Sequence, residues 1–309
     1  MRLPYIMSVA RRIIRERNVE ALFTTSYGAE LPHAAYFLSK EFGLPFYYFE
    51  MDRLDTIFQC TLAKWLILRH RRDFLHQAKK LWLISPAMIR EFVRLFGVQG
   101  EFLHNFLDVE QHQAIVAAAA PPPADRIRIV YTGSLNAMFL ETARWFCDLL
   151  NRGIEIDGRP VEMDIYSSFV PPGLVGPRVR NMGFVPSEQV PEKLAGAHIA
   201  AILIAFQAEP GVRQQIETSV YTKTVDYLAA SRPVLIVGPS YAAEIDHFGS
   251  VACVVSERNE QAVKAALRRL ATDTPYVEAL RREGLSRARA EHSLAALDEL
   301  FLSEFRVPA

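Results

Sequence analysis

The stretch VYTKTVDYLAASRPVLIVG, residues 220–238, joins a polar segment of helical spacing to an unbroken apolar run. Lys223 and Asp226 stand three positions apart in its first half, and Pro233 comes directly before the apolar run. An apolar run without alternation is typical of a strand that is buried on both faces, as the strands of parallel sheets are. The stretch therefore predicts a helix followed by a central strand, which is the repeating unit of an α/β fold.

The second half of the chain repeats this alternation of strands and helices. Segments of helical spacing separate further apolar runs, which are RIRIVYTG, VEMDIYS, VRNMGF, HIAAILIAF and VACVVS. The first half shows a shorter version of the same pattern around VEALFTT, LPFYYFE and KLWLIS. We therefore predict an α/β chain of two Rossmann-like domains, each with a doubly wound parallel sheet.

Three successive prolines separate the two halves. They lie in VAAAAPPPAD and can continue neither a helix nor a central strand, so residues 116–125 are predicted to be an interdomain linker. The N-terminal domain is then 1–115 and the C-terminal domain 126–292. The last residues, 293–309, have helical spacing of Leu and Phe and are predicted to form a helix that could pack on the first domain.

Composition narrows the class of partner. Among 309 residues, Lys plus Arg and Asp plus Glu are both 35, so no overall basic field favours a nucleic acid. The three cysteines, Cys60, Cys147 and Cys253, have the spacing of neither a disulfide framework nor a zinc site. The sequence shows no secretory signal and no apolar run of membrane-spanning length, so we expect a cytoplasmic protein that could contact the inner face of the membrane.

Lys223 and Asp226 are the first candidate site residues. If the helix begins at Tyr221 and Thr222, its free N–H groups and positive dipole end can hold an anion, and Lys223 adds a full charge. Asp226 lies about 5 Å further along the axis, which suits a carboxylate that accepts hydrogen bonds from a ribose diol while Lys223 meets a diphosphate. The alternative is an ordinary Lys/Asp pair on a solvated helix face.

Gly133 and Ser134 follow the first strand of the predicted second domain. Ligands of open parallel sheets bind beyond the carboxyl ends of the strands, and a residue without Cβ lets backbone approach a ligand closely. The alternative is a tight strand-to-helix turn in which Ser134 caps the helix.

KTVDYLAASRPVLIVG resembles the Lys/acid/Pro block of group 1, family 4-like glycosyltransferases, which have the GT-B fold. IVYTGSLN is similar to their first glycine-containing loop, and RNMGFVPSEQVPEKLAGAHIAAILIAF to their glycine-aromatic loop, short helix and next strand. ALFTTSYGAELPHAAYFLSKEFGLPFYYFEMD, LWLISPAM and FLHNFLD are similar to landmarks of their acceptor-side domain. The resemblance runs in one order over nearly the whole chain.

The resemblance implies transfer of a sugar from a nucleotide-sugar donor to a glycan, lipid-linked or small-molecule acceptor, retaining and metal-independent, with no further cofactor. Asp226 takes the place of the acid that holds the donor ribose. Lys223 and the N–H groups around Thr222 and Thr224 would face the diphosphate, near Gly133 and Ser134. The base would lie along Gly183, Phe184 and Val185. No DxD stretch, which holds the cation of metal-dependent sugar transferases, occurs in the sequence.

Three departures from the family pattern leave other functions open. The position of a second acid, eight residues before the ribose acid, is Thr218, with Glu217 one place away, and no Arg-then-Lys pair follows the first loop. The chain also opens on a helix that belongs well inside the family's first domain, so that domain is expected to be incomplete. The alternatives are a non-catalytic GT-B remnant, which binds a nucleotide or acts as a partner subunit, and a nucleotide-sugar epimerase.

Asp52 and His33 follow strands of the predicted first domain. Asp52 resembles an acid that follows the equivalent strand of relatives and could serve as a base towards the acceptor hydroxyl, the alternative being a loop cap. His33 is more simply interpreted as a histidine near a helix start that backbone groups satisfy.

A basic segment, LAKWLILRHRRDFLHQAKK, is the candidate for membrane contact. It sets an apolar run beside Arg69, Arg71, Arg72, Lys79 and Lys80, and a basic amphipathic helix can rest on anionic lipid. A surface helix with one buried side explains the pattern equally well.

Overall fold

Two parallel β-sheets organise the chain in the computed structural model, which describes residues 2–28, 30–53 and 61–305. Contacts divide the chain into two units, the first of residues 1–104 with 209–220 and the second of residues 105–208 with 221–309. The predicted α/β fold with two parallel-sheet domains is confirmed.

The described helices and strands follow in chain order. The helices are α1 (Arg2–Glu16), α2 (Glu30–Phe42), α3 (Thr61–Gln77), α4 (Pro86–Phe96), α5 (Val109–Ala118), α6 (Leu140–Asn151), α7 (Val190–Ala195), α8 (Pro210–Thr218), α9 (Thr222–Ala229), α10 (Ala243–Phe248), α11 (Glu260–Thr272), α12 (Thr274–Glu291) and α13 (Leu294–Phe305). The strands are β1 (Leu22–Thr25), β2 (Phe46–Glu50), β3 (Lys80–Leu83), β4 (Glu101–Phe102), β5 (Ile127–Thr132), β6 (Glu155–Ile156), β7 (Arg159–Tyr166), β8 (Val179–Asn181), β9 (Ile199–Leu203), β10 (Val234–Val237) and β11 (Cys253–Val255).

The sheet of the first unit has the order β1-β2-β3-β4, with each pair parallel. Tyr48 and Trp82, on neighbouring strands, are fully buried and form part of its core. Helix α4 shows why the chain turns where it does. The Ser85 hydroxyl accepts a hydrogen bond from the Met88 N–H at 2.9 Å, Pro86 opens the first turn, and Gly97 ends the helix in the left-handed conformation.

The sheet of the second unit has the order β11-β10-β9-β5-β7-β6, and β8 pairs with β7. All these pairs are parallel except the short β6–β7 pair. Every residue of β9 and β10 is buried, as their continuous apolar runs predict. Strand β10 is the apolar half of residues 220–238, and α9 is the polar half.

The units differ from the predicted domain ranges in three places. Residues 209–220 belong to the first unit although they fall between strands of the second sheet, and Ser85 donates a hydrogen bond to the Thr218 carbonyl there. Residues 105–125, including the predicted linker, belong to the second unit, because α5 and α7 pack there and Leu107 bridges to Ser293. Helix α13 also belongs to the second unit.

Among the described residues, the helices are each too short or too polar to cross a lipid bilayer.

Candidate functional site

The candidate donor residues of the second unit lie at one edge of its sheet. Gly133 and Ser134 follow the carboxyl end of β5, and Gly183, Phe184 and Val185 follow that of β8. Since β7 lies between β5 and β8, and all three are parallel, the two loops open on the same edge. Two strand spacings, roughly 10 Å, separate them.

Lys223 reaches this edge from the first turn of α9. Its Nζ donates a hydrogen bond to the Tyr131 hydroxyl at 2.7 Å and lies 4.1 Å from the Tyr131 ring centre and 4.0 Å from that of Phe139. Burial lowers the pKa of Lys223 to about 7, and the Glu244 carboxylate acts in the opposite direction. The described residues place no carboxylate within 4 Å of Lys223, so the ordinary Lys223/Asp226 salt bridge is not formed.

Tyr131 connects Lys223 to the loop after β5. Its buried hydroxyl accepts the hydrogen bond of Lys223 and donates its own hydrogen to the Ser134 carbonyl at 2.7 Å. The hydroxyl of Tyr227, on α9, accepts a hydrogen bond from the Thr132 N–H at 2.9 Å. Helix α9 is thus fixed against the end of β5, with the Lys223 amine beside the loop backbone.

Gly133 is the loop residue that lies against the Lys223 side chain. Its φ of +98° is rarely adopted by residues with a side chain. A Cβ built at Gly133 would stand 3.6 Å from Cε and 3.7 Å from Nζ of Lys223. The exposed backbone of Gly133 and Ser134 and the Lys223 amine therefore form one surface that an anion can approach.

Glu244, at the start of α10, holds the first turn of α9. Its carboxylate accepts a hydrogen bond from the Tyr221 N–H at 2.8 Å and another from the Thr224 hydroxyl. Both Glu244 and Thr224 are fully buried, and burial raises the pKa of Glu244 to about 7. Thr224 therefore supports the helix with its side chain, whereas Thr222 is exposed.

Asp226 contacts a different helix, α5. Its carboxylate lies 3.3 Å from Nε2 of His112 on α5, and its side chain is 27% exposed. Nδ1 of His112 lies 3.2 Å from the Asp108 carbonyl, so the imidazole is held between two oxygen atoms. The structure places Lys223 and Asp226 on one helix, as predicted, but gives each its own partner.

The loop after β8 presents an aromatic ring to solvent. The side chain of Asn181 accepts a hydrogen bond from the Gly183 N–H at 2.9 Å, which fixes the turn, and Phe184 is 72% exposed. Val185 is half-buried. An exposed ring on an ordered turn is suited to stacking against a flat base.

Asp52 lies in the first unit, directly after β2. Ser26 accepts hydrogen bonds from the N–H groups of Met51 and Asp52, at 2.9 and 3.2 Å, and so fixes this turn. Partial loss of hydration, and then the Glu50 carboxylate, raise the pKa of Asp52 from its ordinary value. His33, for which the sequence favours a structural role, stacks its ring on that of Phe74, with the ring centres 6.3 Å apart.

The basic segment does not present its charges on one helix face. Arg71 is 2% exposed and forms an ion pair with Glu50, and its guanidinium lies over the Phe92 and Phe96 rings. Lys80 belongs to β3 and pairs with Glu101 at 2.5 Å. Arg69 and Arg72 are exposed, Lys79 lies over the Tyr47 ring, and the side chains of residues 61–68 are outside the described part.

In the described part of the chain, one cluster has ligand atoms close enough for a metal ion, namely His247, Glu291 and His292. The Arg287 guanidinium lies among them. It donates to the Glu291 carboxylate at 3.1 Å and lies 3.2 Å from Nδ1 of His247. A fixed positive charge in this position opposes a cation, so these residues do not fit a metal site.

No sequence pattern marks four residues that support the candidate site, namely Tyr131, Glu244, His112 and Glu141. Glu141 accepts a hydrogen bond from the Phe206 N–H at 2.9 Å and fixes the loop after β9. Each is joined to its partner across a long sequence separation, so no local motif marks it. The one local signal is the place of Tyr131, two residues before Gly133.

Comparison with solved structures shows which fold this is. The chain is similar to sucrose-phosphate synthase from Thermosynechococcus elongatus, with a TM-score of 0.71 at 13% identity, over 98% of this chain and 78% of that one. It is similar to a glycosyltransferase from Rickettsia africae, with a TM-score of 0.72 at 10% identity, over 96% of this chain and 79% of that one. The chain has the GT-B fold.

A third GT-B neighbour contains ligands. HepE from Anabaena, in complex with UDP and glucose, has a TM-score of 0.70 at 12% identity, over 96% of this chain and 80% of that one. No protein-family model and no curated protein matches this sequence. The GT-B likeness therefore establishes the fold, whereas function depends on the residues of the site.

Proposed function

We propose that this chain is a glycosyltransferase that moves a sugar from a nucleotide-sugar donor to a glycan, lipid-linked or small-molecule acceptor. One observation carries the proposal: the half-buried Lys223 amine lies beside the glycine turn after β5, at the first turn of α9. A cation, a helix N-terminus and open backbone at the carboxyl edge of a parallel sheet together favour a diphosphate.

The chemistry expected of Lys223 concerns the leaving group. When the bond between the sugar and the diphosphate breaks, negative charge accumulates on the departing phosphate oxygen, and a fixed cation stabilises that state more than the bound donor. The Lys223 amine can supply this charge without a metal ion, which is why we propose metal-independent transfer. Retention of configuration is proposed from the sequence resemblance alone.

Asp226 is proposed to hold the donor ribose, and Phe184 with its neighbours Gly183 and Val185 to line the base. The Asp226 carboxylate keeps an exposed part besides its contact with His112, so it can accept hydrogen bonds from a diol. UDP is the first nucleotide to test, because the HepE neighbour binds it.

Asp52 is proposed as the base towards the acceptor hydroxyl, since a raised pKa brings a carboxylate closer to the range useful in proton transfer. An inner-membrane-face location remains a prediction from the sequence, which the burial of Arg71 weakens.

The test begins with a thermal-shift screen of nucleotide sugars, followed by NMR detection of products with and without added acceptor sugars. A selective donor should raise the melting temperature, and acceptor-dependent release of the nucleoside diphosphate should follow. Release of an altered donor without acceptor would favour the epimerase. Binding without turnover would favour the remnant, for which Thr218 is the supporting observation: it is buried and its hydroxyl bonds the Gln214 carbonyl.

The role of Asp226 has a separate test. Wild type should bind UDP more tightly than 2′,3′-dideoxy-UDP, and Asp226→Asn should lose most of this discrimination. Asp148→Asn, on an exposed position of α6, is the matched control and should keep it. Equal discrimination by all three proteins would remove Asp226 from the ribose site.

A further inference from the structure

A second cavity lies at the opposite edge of the second sheet. It has a volume of about 560 Å³, which lies in the range of small-molecule sites. Its wall includes Ile127 at the start of β5, Arg159 at the start of β7, His198 before β9 and Pro233 before β10. Gly133 and Ser134 of the candidate donor site follow the other end of β5, so the length of β5, about 20 Å, separates the two places.

The charged side chains that line this cavity are all positive. Arg159, Arg232 and Arg281 line it together with His198, and no acid is among the described lining residues. Arg281 has one carboxylate partner, Glu278, whose side chain is 57% exposed. For Arg159 and Arg232, the described part of the chain offers no carboxylate within 4 Å. The nearby Asp273 forms an ion pair with Arg269 instead, and it accepts a hydrogen bond from the Tyr276 N–H in the first turn of α12.

Backbone carbonyls hold the arginines in place without neutralising them. Arg232 donates from Nε to the Ala230 carbonyl and from Nη1 to the Ala197 carbonyl, both at 3.2 Å. Arg281 donates from Nε to the Ser231 carbonyl at 3.1 Å. Arg159 makes one long contact, 3.4 Å, with the Ala271 carbonyl. Each guanidinium therefore keeps donor hydrogens beyond those that the protein uses.

His198 adds a neutral donor. Its Nδ1 accepts a hydrogen bond from the Arg128 N–H at 3.1 Å, so the neutral ring carries its hydrogen on Nε2. Burial, and then the charges of Arg159, Arg128 and Arg232, lower the pKa of His198 to about 4. Burial and the charge of Arg281 also lower the pKa of Arg232, to about 10. Burial is the larger cause of both shifts, and the charges of the neighbouring arginines, which a bound anion would offset, add to it.

We propose that this cavity is a binding site for a small phosphorylated metabolite, distinct from the candidate donor site. The guanidinium groups would receive the phosphate oxygens, because their planar donors match phosphate geometry. The organic part would lie against apolar lining residues, among them Val116, Leu270 and Val277. Such an arrangement favours a phosphate ester over inorganic phosphate, which lacks an apolar or sugar portion.

The experiment titrates the full-length protein with ribose 5-phosphate, with ribose as its uncharged match and with inorganic phosphate, by calorimetry at constant ionic strength. Ribose 5-phosphate should bind, inorganic phosphate should bind at least 3-fold more weakly and compete with it, and ribose should not bind. Arg159→Gln removes the arginine with the fewest internal bonds and should weaken ribose 5-phosphate at least 10-fold. The control Arg282→Gln, exposed on the same helix as Arg281, should change its affinity less than 2-fold.

Two further measurements separate this site from the donor site. Saturating UDP and the Lys223→Met change should both leave ribose 5-phosphate binding unaltered. In histidine-labelled wild-type protein, ribose 5-phosphate should raise the pKa of His198, whose resonance His198→Gln identifies. Equal binding of ribose and ribose 5-phosphate, equal effects of the two arginine changes, or displacement by UDP would each overturn the proposal.

Discussion

Lys223 is the residue on which the proposed donor site depends. Its amine is fixed by Tyr131, packed against two aromatic rings and partly removed from water. A lysine in this state has a lowered pKa of about 7, which a negative group bound beside the amine would raise. A bound diphosphate supplies that group, and binding and protonation of Lys223 should therefore be linked.

We expect UDP affinity to fall as the pH rises from 7 to 9. In free protein the folded pKa of Lys223 lies below its ordinary value, so the amine is increasingly neutral above pH 7. UDP is fully ionised in this range, since the second phosphate pKa is about 6. The decline should approach 10-fold per pH unit, with proton uptake on binding, measured by calorimetry in buffers of different ionisation enthalpy. An affinity independent of pH over this range would contradict the role of Lys223.

At the scale of elements, the site depends on how α9 meets the loop after β5. The turn at Gly133 needs a positive φ, and the first turn of α9 is held by the buried Glu244. A change at Gly133 is expected to alter UDP binding, whereas a change at Glu244 is expected to alter the pH dependence of stability.

Gly133→Ala and Gly153→Ala form a matched pair, because φ is +98° at Gly133 and +90° at Gly153. Each change should lower stability by about 1–2 kcal/mol through backbone strain. A Cβ at Gly153 meets no atom within 4 Å, whereas one at Gly133 lies against the Lys223 amine. Gly133→Ala should therefore also weaken UDP binding, while Gly153→Ala should not. If both alter UDP affinity equally in calorimetry, the turn has no specific role in binding.

Glu244→Gln tests the support of α9. The folded pKa of Glu244, about 7, lies above its ordinary value of 4.5, so its protonated form contributes stability that is lost as the pH rises from 4.5 through 7. Glutamine does not titrate, so the free energy of unfolding of the variant should rise relative to that of wild type across this pH range, by at most about 3 kcal/mol. Melting temperatures between pH 5 and 7 measure the gain. A constant difference between the two proteins would show that Glu244 does not titrate there.

For the whole molecule, the sequence predicts the fold well because burial leaves a local pattern. The continuous apolar runs of β9 and β10 indicate strands covered on both faces, and both strands are central in the second sheet. The prolines of residues 121–123 do not mark the boundary between the units, which lies between residues 104 and 105. Residues 209–220 join the first unit through contacts with α4, which no local pattern in the sequence records.

The candidate site is predicted less completely, for the same physical reason. Lys223 and Gly133 are marked locally, by a charge at a helix start and by a glycine after a strand. Glu244 acts on a helix 20 residues earlier in the chain, and His112 reaches Asp226 across 114 residues. Such contacts depend on the completed packing of the sheet and its helices, so a single sequence does not reveal them.

The most direct test of the account is a calorimetric titration of UDP into wild type, Lys223→Met and Lys264→Met at pH 7. Methionine is an unbranched side chain one atom shorter than lysine and carries no charge, and Lys264 is an exposed lysine of α11 in the same unit. Loss of a charge-assisted hydrogen bond of about 1.5–3 kcal/mol should weaken UDP binding about 10- to 100-fold in Lys223→Met. Lys264→Met should bind UDP as wild type does. Equal UDP affinity of Lys223→Met and wild type would contradict the proposed donor site.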